Sequence, residues 1–361
     1  MKTLRTIGEL KDKKVLLRVD FDVPVKNGKI LERFKLDKQR ETVGHLIKSG
    51  AKVIMVAHIS DVDSFSGLLP QLHLILGHEV NFLKKIEDIG KYLENYAGPA
   101  LLENIRQFPG EKENDSELAG KLAKCFDIFV NNAFAVCHRD HASVSGVAKL
   151  LPSYAGLLIE EEVGQLSQAM SKPKNGRIVV IGGAKAETKV PIIKNFLDKA
   201  DKIIVGGVVA NDILKEKGQD VGSSLADENS KELLVGLDLE SPVLRVPKDF
   251  RILGGRILDI GPETEKEYKS IMAGASMVIW NGPMGLFEDP NFAHGTRAVA
   301  EAILNSGASH VVGGEDTVTA LDSMGLLGKF DFISTGGGAM LSFLAGQKLP
   351  GLEVLGYYNK E

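Results

Sequence analysis

ASMVIWNGPMGLFE, residues 275–288, contains the only tryptophan of a 361-residue chain. An apolar run, Ala275 to Ile279, leads into Trp280, Asn281, Gly282, Pro283, Met284 and Gly285, with Glu288 just beyond. Taken alone, this is either a strand end and turn with Trp280 as core filler, or a loop built to hold a ligand. The choice depends on whether the same pattern recurs along the chain.

It does recur. RIVVIGGAK (177–185), KIIVGGVVA (202–210), SHVVGGEDT (309–317) and DFISTGGG (331–338) each drive an apolar segment into glycines. RILDIG (256–261) reads as a further strand of the same half. In the first half, KVLLRVDF (14–21), AKVIMVAH (51–58), PALLEN (99–104) and DIFVNNAF (127–134) read as strands. Helix-period stretches such as 37–50 and 115–126 separate them. Strands that are apolar throughout and alternate with helices belong to parallel sheets covered on both faces. The expectation is an α/β protein of two doubly wound, Rossmann-like parallel-sheet domains joined by a hinge helix. The length agrees, because a single hydrophobic core stops growing well short of 361 residues. The boundary falls at SYAGLLIEEEVGQLSQAMSKPKNG (153–176), an amphipathic helix closed by a Pro173–Gly176 turn.

Composition narrows the function. The chain is 43% hydrophobic and 25% charged, with a formal net charge of -4, so no overall basic field draws nucleic acid or anionic membrane. Two cysteines, Cys125 and Cys137, make neither a disulfide framework nor a CxxC metal pair, and a reducing cytoplasm is the expected compartment. The polar N-terminal stretch lacks the apolar segment of a signal peptide, and no run is long enough to span a bilayer. The charged run PGEKENDSE (109–117) reads as a solvated loop and helix start.

In open parallel sheets ligands bind beyond the carboxyl ends of the strands, where glycine lets backbone approach phosphate oxygens. Five such ends in one half of the chain point to a nucleotide edge. It is not a P-loop, since no G-x-x-x-x-G-K-[ST] occurs, and no strand leads into G-x-G-x-x-G. Lys185 and Lys189, four residues apart, share a helix face for one anion. Asp316 after Gly313 and Gly314 suits Mg²⁺, which takes one or two carboxylates plus phosphate oxygens. Glu288 suits ribose hydroxyls.

These segments, together with RVDFDVP (18–24), AHIS (57–60), LLENIRQFPGEKENDSELAGKLA (101–123) and FVNNAFAVCHRDHAS (129–143), resemble the phosphoglycerate kinase family in order and surroundings. The likeness runs from about Lys14 to Gly351. It implies reversible phosphoryl transfer between 1,3-bisphosphoglycerate and Mg-ADP, giving 3-phosphoglycerate and Mg-ATP. Mg²⁺ and ATP or ADP are thus the implied cofactor and co-substrate, small molecules the only partners, and a monomer the implied state. The implied layout is a glycerate domain (1–155), an interdomain helix (156–173), a nucleotide domain (174–340) and a tail (341–361) returning to the first domain.

Carried over residue by residue, the resemblance gives Lys189 as the transfer lysine, with Lys35 and Arg139 as further catalytic groups. Arg18, Asp20, Asp22, His58, Arg106 and Arg139 would bind glycerate. Lys185, Gly207, Asn281, Gly282, Glu288, Gly314, Asp316 and Thr317 would surround the nucleotide, with Asp316 on the metal. The WNGPMG loop would lie beside the transferring phosphate, with Trp280 as its rigid support. His138 and His141 flank Arg139 without further Cys or His partners and are not read as a metal site.

Some positions depart from the family. Lys35 stands where an arginine is expected, losing the planar guanidinium fork; one charge-assisted hydrogen bond is worth about 1.5–3 kcal/mol, or about 10- to 100-fold in rate. Asp61 also replaces an arginine. About 7 Å from a substrate charge, at an effective dielectric near 20, its carboxylate would cost about 2 kcal/mol, so it is expected to point away or to act at a different distance. Asp22, Asn132, Ala135, Thr188, Val208 and Glu315 are further departures, and Arg33 is a candidate to replace the missing fork. The alternative function is a non-catalytic nucleotide-binding protein on a degenerate scaffold of this family. The joint presence of Lys189, Asp316, Glu288, Arg18, Arg106 and Arg139 favours the enzyme.

Overall fold

The computed structural model describes residues 1–359. The chain divides into two compact units, Met1–Val163 with the chain from Lys348 onward, and Gly164–Gln347. Val163 and Gly164 both lie within one 15-residue helix, Leu157–Ser171. Each unit carries a six-stranded sheet, and every strand pairing within these two sheets is parallel.

In the first unit the strand order is Asn81–Leu83, Ala100–Leu102, Lys52–Val56, Lys14–Arg18, Ile128–Asn131, Ser153–Ala155. Side chains alternate across a strand, so a run apolar at every position feeds two cores. Val15, Leu17, Val53, Met55 and Val130 pack on one face. Leu16, Ile54, Val56, Leu102 and Phe129 pack on the other. The two outer strands, Asn81–Leu83 and Ser153–Ala155, are three residues each and gave no apolar run long enough to read from sequence.

The second sheet runs Leu244–Arg245, Lys202–Val205, Arg177–Ile181, Met277–Asn281, Ser309–Gly313, Phe332–Ser334. Numbered along the chain this is 3-2-1-4-5-6, the doubly wound order. One expectation needs correcting. RILDIG is not a strand of this sheet; Arg256–Ile260 pairs antiparallel with Phe250–Leu253 in a separate hairpin. Its graded burial, exposed at Arg256 and buried at Asp259 and Ile260, differs from the uniform burial of the strand Arg177–Ile181. The two-residue strand Leu244–Arg245 takes the edge instead.

The order reverses where Met277–Asn281 joins Arg177–Ile181 in the second unit, and where Ile128–Asn131 joins Lys14–Arg18 in the first. At such switch points the loops diverge and leave a crevice beyond the carboxyl ends. In the first unit the start of the long helix is tied to that point. Thr42 Oγ1 donates to Asn132 Oδ1 at 2.7 Å and accepts from the Leu157 amide at 3.1 Å. Asn132 Oδ1 also accepts from the Leu158 amide at 3.1 Å. Asn132 Oδ1 therefore organises a helix start, and Nδ2 donates to Gln39 Oε1 at 2.8 Å, a contact that an aspartate carboxylate at this departure from the family pattern could not make.

Thr42→Val strips a buried amide of its acceptor. The expected loss is about 1–3 kcal/mol, read as a lower denaturation midpoint of the first unit by far-ultraviolet circular dichroism. An unchanged midpoint would refute the role given to this hydroxyl.

Candidate active site

In the second unit, two glycine loops meet at the switch point. The Gly182 amide donates to Asn281 O at 2.9 Å, and the Gly183 amide donates to Pro283 O at 2.8 Å. Gly207 N–H reaches Met284 O at 2.9 Å, and Val208 N–H reaches Gly183 O at 3.0 Å. A methyl group at Gly282 would lie 2.0 Å from Gly182 O, and one at Gly182 would lie 2.1 Å from Pro283 O. Gly282 also holds φ at +94°, a region left to glycine. These glycines let three loops interlock through backbone, and the Gly207 and Gly282 amides are already committed within the protein.

Trp280 closes the same knot. Its indole N–H donates to Gly282 O at 2.8 Å, and its ring is fully buried with Phe330 6.1 Å away. Thr317 Oγ1 accepts from the Gly282 amide at 2.7 Å and is fully buried, so its hydroxyl oxygen braces the loop.

The charged groups sit around this frame. Lys189 lies on the helix Ala186–Phe196 and donates from Nζ to Asn281 Oδ1. Burial pushes its ammonium down to about 8; Asp316 opposes that fall and Lys185 adds to it. Lys185 caps the helix and is exposed, so the two lysines share one electrostatic neighbourhood but not one degree of burial. Asp316 is exposed in the first turn of the helix Glu315–Ser323, beside Glu315. An exposed carboxylate within the field of the Lys189 ammonium fits Mg²⁺ carried in on a phosphate chain, since that ion keeps most of its ligands from water and phosphate.

A mainly apolar cavity of about 330 Å³ opens alongside. Gly207, Val208, Leu225, Phe250, Ile257 and Pro283 line it, with Glu288 and Asp316 among its polar members. Arg256–Ile260, misassigned from sequence to the sheet, supplies one of its walls. Gly314 holds φ at +100°, and a methyl there would press Asn281 Nδ2 at 2.9 Å.

In the first unit the switch point holds a polar network. Arg18 is 1% exposed. Its Nε donates to Ser143 Oγ at 3.0 Å, its Nη1 to the carbonyls of Val19 and Val56, and its Nη2 to His58 Nδ1 at 3.2 Å. Arginine can only donate, so His58 Nδ1 is the acceptor and the ring is neutral with its proton on Nε2. Burial pushes the His58 pKa down, in keeping with that tautomer. His58 Nε2 faces Asp22 Oδ2 at 3.2 Å, a contact whose geometry falls short of a hydrogen bond. Burial works against ionising Asp22, yet His58 and the Ser60 amide, 2.8 Å from Oδ1, hold its carboxyl well below the usual range. Asp20 is buried; Oδ1 accepts from the Asp22 amide and Oδ2 has no hydrogen-bond partner among the described residues.

Arg18 is therefore an internal strut rather than an open fork. Arg106 and Arg139 are the half-buried members. Arg106 Nη1 donates to Ser60 Oγ at 2.8 Å, and burial followed by the nearby Arg139 charge lowers its pKa. Burial, Arg139, Arg18 and Arg106 push His141 down to about 4, so it is neutral.

Glu111 was missed from sequence. Although it belongs to the charged run 109–117, it is 2% exposed; its Oε1 accepts from Ser143 Oγ at 2.6 Å and its Oε2 from the Ser143 amide at 2.9 Å. Burial pushes its carboxyl up, and the Arg18 charge favours ionisation. The rest of that run does start a helix, with Asp115 capping Ser116–Ala123 through the Leu118 amide.

The departures find partners too. Asp61 Oδ2 accepts from the Val25 amide at 2.9 Å, which directs its charge onto a backbone donor. Lys35 Nζ donates to Asp22 O at 3.2 Å. Arg33 pairs with Asp37 at 3.0 Å, so its guanidinium is spent locally. Thr188 Oγ1 donates to Lys185 O at 3.0 Å. Nothing in the structure explains Ala135.

A family model described as phosphoglycerate kinase matches residues 4–347. A phosphoglycerate kinase of Moorella thermoacetica is 38% identical, over 96% of this chain and 97% of its own. One from Thermosipho africanus is 39% identical, over 97% and 96%. Among solved structures, phosphoglycerate kinase from Pyrococcus horikoshii OT3 superposes with a TM-score of 0.87 at 32% identity, covering 99% of this chain and 98% of that one. The Coxiella burnetii phosphoglycerate kinase gives 0.84 at 32% identity, covering 99% of both chains.

Gly282→Ala would force a methyl into Gly182 backbone at a positive φ. The expected cost is about 3 kcal/mol or more, with Trp280 emission shifting at a lower denaturant concentration. A variant as stable as the parent would show that the two loops are not locked.

Proposed function

The chain belongs to the phosphoglycerate kinase family, and we propose which of its residues perform the family's phosphoryl transfer. The reaction moves a phosphoryl group between 1,3-bisphosphoglycerate and ADP, giving 3-phosphoglycerate and ATP. The chemistry asks for in-line positioning and for positive charge around the moving group, with little covalent help.

The observation that carries the assignment is Lys189: a buried ammonium at the switch point, held on Asn281 and within the field of Asp316. In this reading the nucleotide enters as its Mg²⁺ complex. Asp316 meets the ion, Lys185 the outer phosphate oxygens, and Glu288 the ribose, while the apolar cavity takes the base. Lys189 exchanges part of its contact with Asn281 for the transferring phosphoryl group and stabilises the charge on it. Gly207 and Gly282 act through the loop frame, because their amides are occupied within the protein, while Thr317 braces Gly282 as an acceptor and turns its hydroxyl proton to the neighbouring phosphates.

On the glycerate side, Arg106 and Arg139 are the forks for carboxylate and phosphate oxygens. Arg18, neutralised by Glu111, sets the position of His58, and Asp22 orders the Ser60 loop that Arg106 leans on. Lys35 supplies the charge that an arginine would supply, from its seat on Asp22 O. The two sites belong to different units, so closure about the helix Leu157–Ser171 would bring the substrates together and exclude water. Mg²⁺ dependence, a cytoplasmic location and a monomeric state form part of the same proposal.

A coupled assay with 3-phosphoglycerate and Mg-ATP tests it. Turnover should saturate with both substrates and fall about 10²- to 10³-fold in Lys189→Ala, by analogy with loss of one charge-stabilising donor. No turnover from folded protein that still binds Mg-ADP would favour the non-catalytic reading.

The Lys189 ammonium also predicts a pH profile. Its pKa is lowered to about 8, so the charge is present below that pH and is lost as pH rises through it. Thus kcat/KM, which reports the free enzyme, should fall on the alkaline side near 8, and Lys189→Arg should remove that limb. A limb that survives in Lys189→Arg belongs to another group.

A further inference from the structure

Asp259 has no place in the phosphoryl chemistry, yet it lies in the wall of the apolar cavity and is 1% exposed. Three segments converge on its carboxylate. Oδ1 accepts from the Ile260 amide at 2.9 Å within its own strand, and Oδ2 accepts from the Gly295 amide at 2.8 Å in the first turn of the helix His294–Asn305. The turn after the WNGPMG loop packs directly on it. A methyl at Gly285 would stand 2.4 Å from Oδ1, and so would one at Gly295. The Leu286 amide, next along, donates to Leu258 O at 2.8 Å.

We propose that Asp259 is a positioning residue for the nucleotide, whose ionised carboxylate ties the helix start at Gly295 to the cavity strand and gives the 285–288 wall the surface it packs on, in register for base and ribose. The inference rests on reading this cavity as the nucleotide site.

The ionised form is the one that suits the contacts. A carboxylate has only acceptors, and both N–H groups need one; at the helix start it also meets the positive end of the helix dipole. A proton on either oxygen makes that oxygen a poorer acceptor and sets a donor beside an N–H, so one of the two ties is weakened. Burial pushes the carboxyl up to about 7, against the two amides and Arg251, with Glu265 adding to the rise. Arg251 lies across the hairpin as the register partner of Asp259 and is itself paired with Glu265 on the helix Pro262–Met272. The helix His294–Asn305 and the 282–288 turn bring glycine to the contact.

Adenosine is the appropriate probe for the full-length protein, because it reports on base and ribose and carries no phosphate that titrates near neutrality. Its Kd, measured calorimetrically from about pH 5.5 to 8.5, should weaken about tenfold between pH 8 and 6, where a group titrating near 7 is about one-tenth ionised. Asp259→Asn keeps the shape but offers Gly295 and Ile260 only one acceptor; it should bind about tenfold more weakly at pH 8 with a flat profile. Arg251→Gln removes the cation that favours ionisation and should move the parent midpoint to higher pH, a test that stands even if Asp259→Asn fails to fold. A flat profile in the parent protein, or Asp259→Asn with the parent's affinity and pH dependence, overturns the role of Asp259 while leaving the nucleotide site intact. Absence of binding by adenosine and by Mg-ADP at every pH overturns the nucleotide reading and this inference with it.

Discussion

Everything in the second unit depends on how closely two backbones approach at the sheet's switch point. Gly182 and Gly282 end adjacent parallel strands and stack peptide against peptide, with no room for even a methyl group on either. That approach lets Asn281 face Lys189, lets Thr317 and Trp280 grip Gly282 from opposite partners, and aims the chain from Pro283 to Glu288 along the cavity. Charge and cavity are then consequences of a steric constraint. The glycines are not a ready cradle of free N–H groups; their amides are mostly used to bind the loops to one another.

The first unit solves a different problem at its own switch point. It must keep several like charges close together. It does so by grading burial: Arg18 is sunk and matched with Glu111, His58 and His141 are kept neutral, and Arg106 and Arg139 stay half-open. A buried cation is tolerable only when hydrogen-bonded and paired, and the Glu111–Ser143–Arg18–His58–Asp22 chain supplies those partners.

Strong local patterns were legible in the sequence. Strands apolar at every position pointed to the parallel sheets, those of the second unit run into the glycine loops that interlock at its switch point, and WNGPMG-x-FE and GGAK pointed to the family. Three-residue outer strands carry too little periodicity to read, and RILDIG looked like a sheet strand because apolar composition does not reveal antiparallel pairing. Glu111 was hidden for a related reason. A charged residue among charged neighbours reads as solvated until the fold brings a serine and an arginine onto it. The partner of Asp61, the Val25 amide, lies 36 positions away in sequence and could not be inferred.

The single tryptophan has a consequence for how the molecule can be watched. Trp280 sits in the core of the Gly164–Gln347 unit, bonded to Gly282 and beside Phe330, while the unit that holds Arg106 and Arg139 contains no indole at all. The emission of this protein is therefore a one-sided signal. It reports the glycine knot and the unfolding of the unit around it, and is silent when the other half melts first. Stability figures for the whole chain need a second observable that sees both halves.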